Sequence, residues 1–247
     1  MPTLVFQSFR EEMPLWIRRC QQSVQSWAHA HGYTYRFVGD EIFSHNPPWF
    51  NQKLQHRLPI KSDLARLLYS KEALESYERV VWFDIDCFIF APECVSLQQT
   101  PYLFGQERWI QPHKKGWKIY KNVCNAFFQF SHDNAFLDFY IDTAMRLSKN
   151  IDPKHIAPQF IGPKLLSALH AAVTLPVSTM VGSASPWLMK ECAEEKTMLL
   201  QRVAQSIATD PCGALNLSNS LIANSESTEK AMHFLKHHGA IGGKQSG

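Results

Sequence analysis

The stretch Val80-Val81-Trp82-Phe83-Asp84-Ile85-Asp86-Cys87-Phe88-Ile89-Phe90 decides the reading of this chain. Nine of its eleven residues are apolar, most of them β-branched or aromatic, and the other two are carboxylates two positions apart. A short continuous apolar run of this kind reads as a buried, central strand. Side chains alternate faces along a strand, so the spacing predicts that Asp84 and Asp86 project the same way. Two ionised carboxylates side by side at the end of a buried strand repel each other and lose hydration. A divalent cation or a shared proton would offset that cost. Oxygen-only ligands suit a hard cation, so Mg²⁺ or Mn²⁺ is the expected occupant.

The flanking sequence supplies the fold class. Residues 3–9 alternate as a first strand. Pro14 opens a helix to about His31, with Trp16, Ile17, Cys20, Val24 and Trp27 at helical spacing, Gly32 stops it, and residues 33–38 read as a second strand. This β-α-β start predicts an α/β fold of the Rossmann type, a mostly parallel sheet flanked by helices. Residues 44–58 read as a polar loop, followed by a helix from an N-cap at Ser62 to about Glu75, with Asp63 in its first turn. Beyond the central strand come a short strand at 102–105, a mobile, aromatic and basic loop at 108–121, and a strand at 123–130. A helix at 135–149 turns Phe136, Phe139, Tyr140, Ala144 and Leu147 inward. Then come a helix from 161 to 172, a strand at 173–182 and an amphipathic helix at 190–207. No repeat or linker divides the chain, so residues 1–238 are expected to form one domain, with Gly239–Gly247 as a flexible tail.

Composition bounds the function. At 247 residues, 45% hydrophobic and 19% charged, the chain is long enough for a full core and is expected to be soluble and globular. Its net charge of +3 is mild, and the basic residues read as scattered, so nucleic acid is not the default partner. Six cysteines without a C-x-x-C pair fit reduced thiols better than a disulfide framework or a zinc site. The N-terminus carries no leader pattern, and no segment approaches about eighteen uninterrupted apolar residues. The expected location is cytoplasmic, with at most peripheral membrane contact.

Two chemistries use a strand ending in D-x-D. In one, a metal neutralises a diphosphate leaving group. In the other, the haloacid-dehalogenase type of phosphatase, Asp84 would be the nucleophile and Asp86 the general acid. That motif is usually an N-terminal D-x-D-x-[T/V], whereas here it lies 84 residues in and Phe88 fills the Thr/Val position. The preceding segment Lys61-Ser62-Asp63-Leu64-Ala65-Arg66-Leu67-Leu68-Tyr69 favours the first chemistry. Together with the D-x-D it resembles the "sugar-binding region containing D-x-D" glycosyltransferases, GT-A-fold enzymes of the retaining α-mannosyl- and α-galactosyltransferase type. Their pattern is S-D-x-x-R-x-x-x-L, then G-G-x-Y-x-D-x-D; the Gly-Gly is replaced here by Glu75-Ser76-Tyr77-Glu78. Asn125-Ala126-Phe127-Phe128 with Ser131, Gly162-Pro163-Lys164-Leu165-Leu166 and Ala231-Met232-His233 resemble later pieces of the family pattern in the same order, although the Ser-Trp after the last is absent.

The resemblance implies a metal-dependent glycosyltransferase. It would move a sugar, with retention, from a UDP- or GDP-sugar to a bacterial glycan, a lipid-linked intermediate or a protein. Asp84 and Asp86 would hold Mn²⁺ or Mg²⁺, with His233 as third ligand and His237 as its competitor. Asp63 would meet the ribose or base, Arg66 would pair a nearby carboxylate or phosphate, and Phe6 and Gln7 would flank the base. Asn125 would orient sugar hydroxyls, and the loop at 108–121 would close over the donor as a lid. The lost Gly-Gly and Ser-Trp keep a third reading open, a non-catalytic nucleotide-sugar or glycan-binding module on the same scaffold.

Overall fold

The computed structural model describes residues 2–222 and 224–243. The chain opens as the sequence predicts, with strand β1 (Thr3–Ser8), helix α1 (Leu15–Ala30) and strand β2 (Thr34–Val38). Trp16, Ile17, Cys20, Val24 and Trp27 form the buried stripe of α1, and Gly32 takes a positive φ just past its end. The expected loop at 44–58 holds a short helix, α2 (Pro48–Lys53). Helix α3 (Leu58–Ala73) starts four residues before Ser62, because Pro59 sits in the first turn with its φ already helical. Ser62 is therefore interior, and no side chain caps this end.

The central run does not stay one strand. Strand β3 (Arg79–Phe83) ends at Phe83, Asp84–Asp86 form a turn closed by Cys87 N–H donating to the Asp84 carbonyl (3.0 Å), and β4 (Cys87–Ile89) enters a second sheet. A buried ladder leaves no room for two adjacent carboxylates, and the turn lets the chain leave the sheet where they occur. The rest is built from β5 (Tyr102–His113), β6 (Gly116–Ser131), α4 (Phe136–Lys149), α5 (Pro163–Val173), β7 (Val177–Ser178), β8 (Val181–Ser183), α6 (Pro186–Ala193), α7 (Met198–Ser206), β9 (Ala214–Asn216) and α8 (Ser225–His238).

The six-stranded sheet runs β2-β1-β3-β6-β5-β7, and a three-stranded sheet runs β4-β9-β8. In the larger sheet β1/β2, β1/β3 and β5/β7 are parallel, while β6 is antiparallel to β3 and β5. One face packs Phe6, Trp82, Phe104, Phe128 and Phe130 against α3 and α4; the other packs Val81, Phe83 and Phe127 against Val24 and Trp27 of α1.

Several expectations are corrected. Residues 108–121 are not a mobile loop: they form the paired end of the β5–β6 hairpin, turning at Lys114, whose φ is 49°. Alternation explains this, since Ile110 and Ile119 face each other across the ladder and pack inward. The segments 173–182 and 190–207 each divide in two, the second where Glu195 takes a φ of 56°. Phe139 and Leu147 point outward from α4, at 50% and 37% exposure. The tail begins later than Gly239: Ile241 is fully buried and exchanges two backbone hydrogen bonds with Cys212, of 2.8 and 2.9 Å. Residues 244–247 of the expected tail lie outside the described residues.

Ile241→Ala is therefore expected to cost about 2–4 kcal/mol in urea unfolding. A free tail would show no change.

Candidate functional site

The site forms where β3 leaves the large sheet. The backbone of its turn is held from three sides. Asp84 N–H donates to the Ala126 carbonyl (2.8 Å) of β6, and the Asp84 carbonyl accepts from Gln7 Nε2 (3.0 Å) at the end of β1. Leu217 N–H donates to the Asp86 carbonyl (2.9 Å) just past β9. Gln7 is oriented in turn by the Tyr35 hydroxyl, which donates to its Oε1 (3.0 Å).

Every oxygen of the two carboxylates has a partner. Asp84 Oδ1 accepts from Arg66 Nη1 (2.5 Å) and Trp82 Nε1 (2.8 Å), and its Oδ2 accepts from Asn216 Nδ2 (3.1 Å). The same Asn216 Nδ2 donates to Asp86 Oδ1 (2.9 Å), and Asn219 N–H donates to Asp86 Oδ2 (2.8 Å). Ser218 N–H donates to Asn216 Oδ1 (2.7 Å), which fixes the amide with its NH₂ toward the aspartates. The two carboxylates thus converge as the sequence predicts, but through a turn and a shared amide, not through a common strand face.

A second layer lies beneath. Arg66 also pairs with Asp63, one turn earlier on α3, and stacks over the Trp82 ring at 5.2 Å. Asn125 Nδ2 donates to Asp63 Oδ1 (2.8 Å). Gly162 closes the layer: a Cβ there would fall 2.5 Å from Asp63 Oδ2 and 2.6 Å from Asn125 Nδ2, so only glycine allows this approach. That gives Gly162 a role beyond starting a helix.

Charge is not balanced in this cluster. Asp63, Asp84 and Asp86 are linked through one network whose guanidinium, that of Arg66, pairs with Asp63 and Asp84, while Asp86 meets amide donors. Burial pushes the Asp63 carboxyl up to about 6, opposed by Arg66 and reinforced by Asp84. Burial, together with the neighbouring charge of Asp84, pushes Asp86 up to about 7, although Asn219 and Asn216 donate to it. An excess of carboxylate whose protonation is raised by its own neighbours fits a hard divalent cation. Asp84, with 28% of its side chain exposed, is the open edge from which one could be reached. Among the described residues no three His, Cys, Asp or Glu side chains cluster as a full metal cage. A Mg²⁺-like ion held by one or two carboxylates takes its other ligands from phosphate and water.

The remaining predicted residues fall elsewhere. Phe6 is fully buried between Tyr69 (4.7 Å) and Trp82 (4.9 Å), and Gln7 is fully buried as well. Neither reaches solvent, so neither flanks a base in this conformation; both support the site from below. Asp63, Arg66 and Asn125 are buried and engaged with one another. His233 is exposed on α8, its ring 4.2 Å from that of His237, and does not join the aspartates in a three-ligand cluster. Asn216 and Asn219 were missed. They lie about 130 residues beyond the D-x-D, and only the antiparallel pairing of β4 with β9, which sets Cys87 opposite Asn216, brings them there.

No known family's sequence profile matches the chain, and no curated protein sequence matches it. Among solved structures it is similar to a glycosyltransferase involved in the glycosylation of the major capsid of PBCV-1. The identity is 11%, the TM-score 0.51, and the match covers 94% of this chain and 98% of that one. Mouse xyloside xylosyltransferase 1 in its apo form aligns over 90% of this chain and 99% of its own at 8% identity, with a TM-score of 0.44 that carries no argument. At 11% identity the likeness is one of fold. The chain is a mixed α/β domain of GT-A-like glycosyltransferase architecture.

Both raised carboxyls favour the folded state when protonated. Their contribution is full below about pH 4 and is lost as pH rises through about 6 for Asp63 and about 7 for Asp86. Metal-free Asp86→Asn is therefore expected to gain stability over the parent between pH 5 and pH 8, by about 2–3 kcal/mol. Chemical unfolding at the two pH values checks this. Arg66→Ala, which strands the buried Asp63 carboxylate and takes the ion-pair partner from the part-exposed Asp84, is expected to cost about 3–5 kcal/mol at pH 8.

Proposed function

We propose that this chain is a metal-dependent glycosyltransferase that moves a sugar from a UDP- or GDP-sugar to a glycan, lipid-linked or protein acceptor, with retention. The observation that carries the reading is the Asp84–Asp86 pair at the exit of a central strand in a GT-A-like fold, where Arg66 is the one cation paired with Asp63 and Asp84 and none is paired with Asp86 among the described residues. Ligands of open α/β sheets bind at strand ends where the chain changes direction.

Asp84 and Asp86 are the proposed Mn²⁺ or Mg²⁺ ligands. When bound, the cation would offset charge on the departing nucleoside diphosphate. Asn216 and Asn219 hold the two carboxylates at a fixed separation, and Trp82 with Arg66 fixes the rotation of Asp84. Arg66 Nε is buried without a partner among the described residues, so its two ion pairs do not exhaust its donors. Asp63 acts here as a positioning residue, since its carboxylate is taken by Arg66 and Asn125. Asn125 commits its NH₂ to Asp63, which leaves its side-chain carbonyl as the group to orient a sugar hydroxyl.

All six cysteines are free, and no helix among the described residues is long and apolar enough to cross a membrane. Free thiols support a reducing compartment as the place of action.

The test is a thermal-shift panel of UDP, GDP and their sugar conjugates with Mn²⁺ and with EDTA, coupled to release of free nucleoside diphosphate. One nucleotide class is expected to raise the melting temperature only with metal. Asp84→Asn and Asp86→Asn should abolish that shift and lower nucleoside-diphosphate release by about 100-fold or more. Metal-dependent binding with neither transfer nor slow donor hydrolysis would instead make the chain a binding module. Full activity in both variants would sink the proposal.

A further inference from the structure

The β5–β6 hairpin accounts for the chain's net positive charge. From Arg108 to Lys121 it holds Arg108, Lys114, Lys115, Lys118 and Lys121, and no acidic residue occurs between Glu107 and Asp133. The rest of the chain has 20 Lys and Arg against 22 Asp and Glu, so without these five it is net −2. The ladder sorts the hairpin into two faces. Ile110, Trp117 and Ile119 pack inward, and Arg108 is buried with them. The opposite face pairs Trp109 with Tyr120 and Gln111 with Lys118. The Lys118 ammonium lies 4.6 Å from the Tyr120 ring, and Trp109 Nε1 donates to Gln111 Oε1 (3.0 Å).

The turn is exposed at every residue from Pro112 to Gly116. Beside it Trp117 meets Trp187 of α6 edge-on at 6.0 Å, and Trp187 is left 47% exposed.

We propose that this hairpin tip, with Trp187, docks the protein on an anionic lipid bilayer. Lysines near an anionic leaflet are attracted to its surface potential, and indole and phenol rings favour the water–acyl interface. The excess of positive charge lies on one exposed ribbon, with Trp117 and the 47%-exposed Trp187 beside its turn. That arrangement favours a flat, soft surface over a nucleic acid or a soluble polyanion. The patch also borders the site. Trp187 follows Pro186, which with Met189, Leu217, Ser218 and Leu221 lines a cleft of about 170 Å³. Ser218 in turn fixes Asn216 above Asp86.

The full chain is sedimented with phosphatidylcholine vesicles and with vesicles that also contain phosphatidylglycerol, at low and high salt. Heparin serves as a soluble polyanion. The variants are Lys114→Glu with Lys115→Glu, Lys118→Glu with Lys121→Glu, and Trp187→Ser. Binding to the anionic vesicles alone is expected, falling about tenfold or more for each lysine pair reversed and with added salt. Melting temperatures should stay at the parent value, because these side chains are exposed. Trp187→Ser should weaken vesicle binding and leave heparin binding unchanged. No sedimentation with anionic vesicles at low salt overturns the proposal, as does equal binding by the charge-reversed variants. Vesicle binding insensitive to Trp187→Ser assigns the patch to soluble polyanions and overturns it too. None of these readouts needs nucleotide or metal, so they stand whether or not the chain transfers sugar.

Discussion

The guanidinium of Arg66, buried between Asp63 and Asp84, is the contact on which the rest of the site depends. It ties helix α3 to the end of the central strand, and through Asp63 it reaches Asn125 on β6. Three elements that meet only in the tertiary fold are joined by one cation. Such a cluster is not built for stability alone, since a buried ion pair recovers its desolvation cost only with good geometry. Its geometry here is good, with Asp84 oriented by Trp82 as well and the guanidinium stacked on the same indole. What it leaves unmatched is negative charge on the Asp86 side.

That imbalance follows from how the chain leaves the sheet. A strand carrying two carboxylates could not remain in a buried ladder, and the turn at Asp84–Asp86 passes the chain from the six-stranded sheet to the small one. The small sheet then returns Asn216 and Asn219 to the same two side chains. An amide NH₂ shared between two carboxylates screens part of their repulsion and sets their spacing. The second sheet therefore supports the turn, while its buried Cys87, Ile89, Val181 and Ala214 extend the core beside α1.

The β5–β6 hairpin shows the opposite use of alternation. Its inward residues belong to the core shared with α6, α7 and α8, so the ribbon is anchored along one face and its basic tip is presented, not folded away. Rigid presentation suits a surface that meets a partner by charge, because little ordering entropy remains to be lost on contact. A lid, by contrast, needs hinge residues and a face free to move.

The sequence alone determined the opening β-α-β unit, the stripe of α1, and the existence of a carboxylate pair at a strand end, since each rests on local periodicity or composition. It also made Asp63, Arg66 and Asn125 neighbours worth naming, through a pattern resemblance. It could not determine where the central strand breaks, because a continuous apolar run looks the same whether it serves one sheet or two. It assigned Phe6 and Gln7 to a ligand, and only packing revealed that both side chains are fully buried. His233 carried the right chemistry in the pattern, but the outward face of α8 decided its place. Asn216 and Asn219 were invisible, because no spacing along the chain signals a partner 130 residues away. Local order is written in neighbouring residues; a site built from long-range contacts exists only once the sheets have formed.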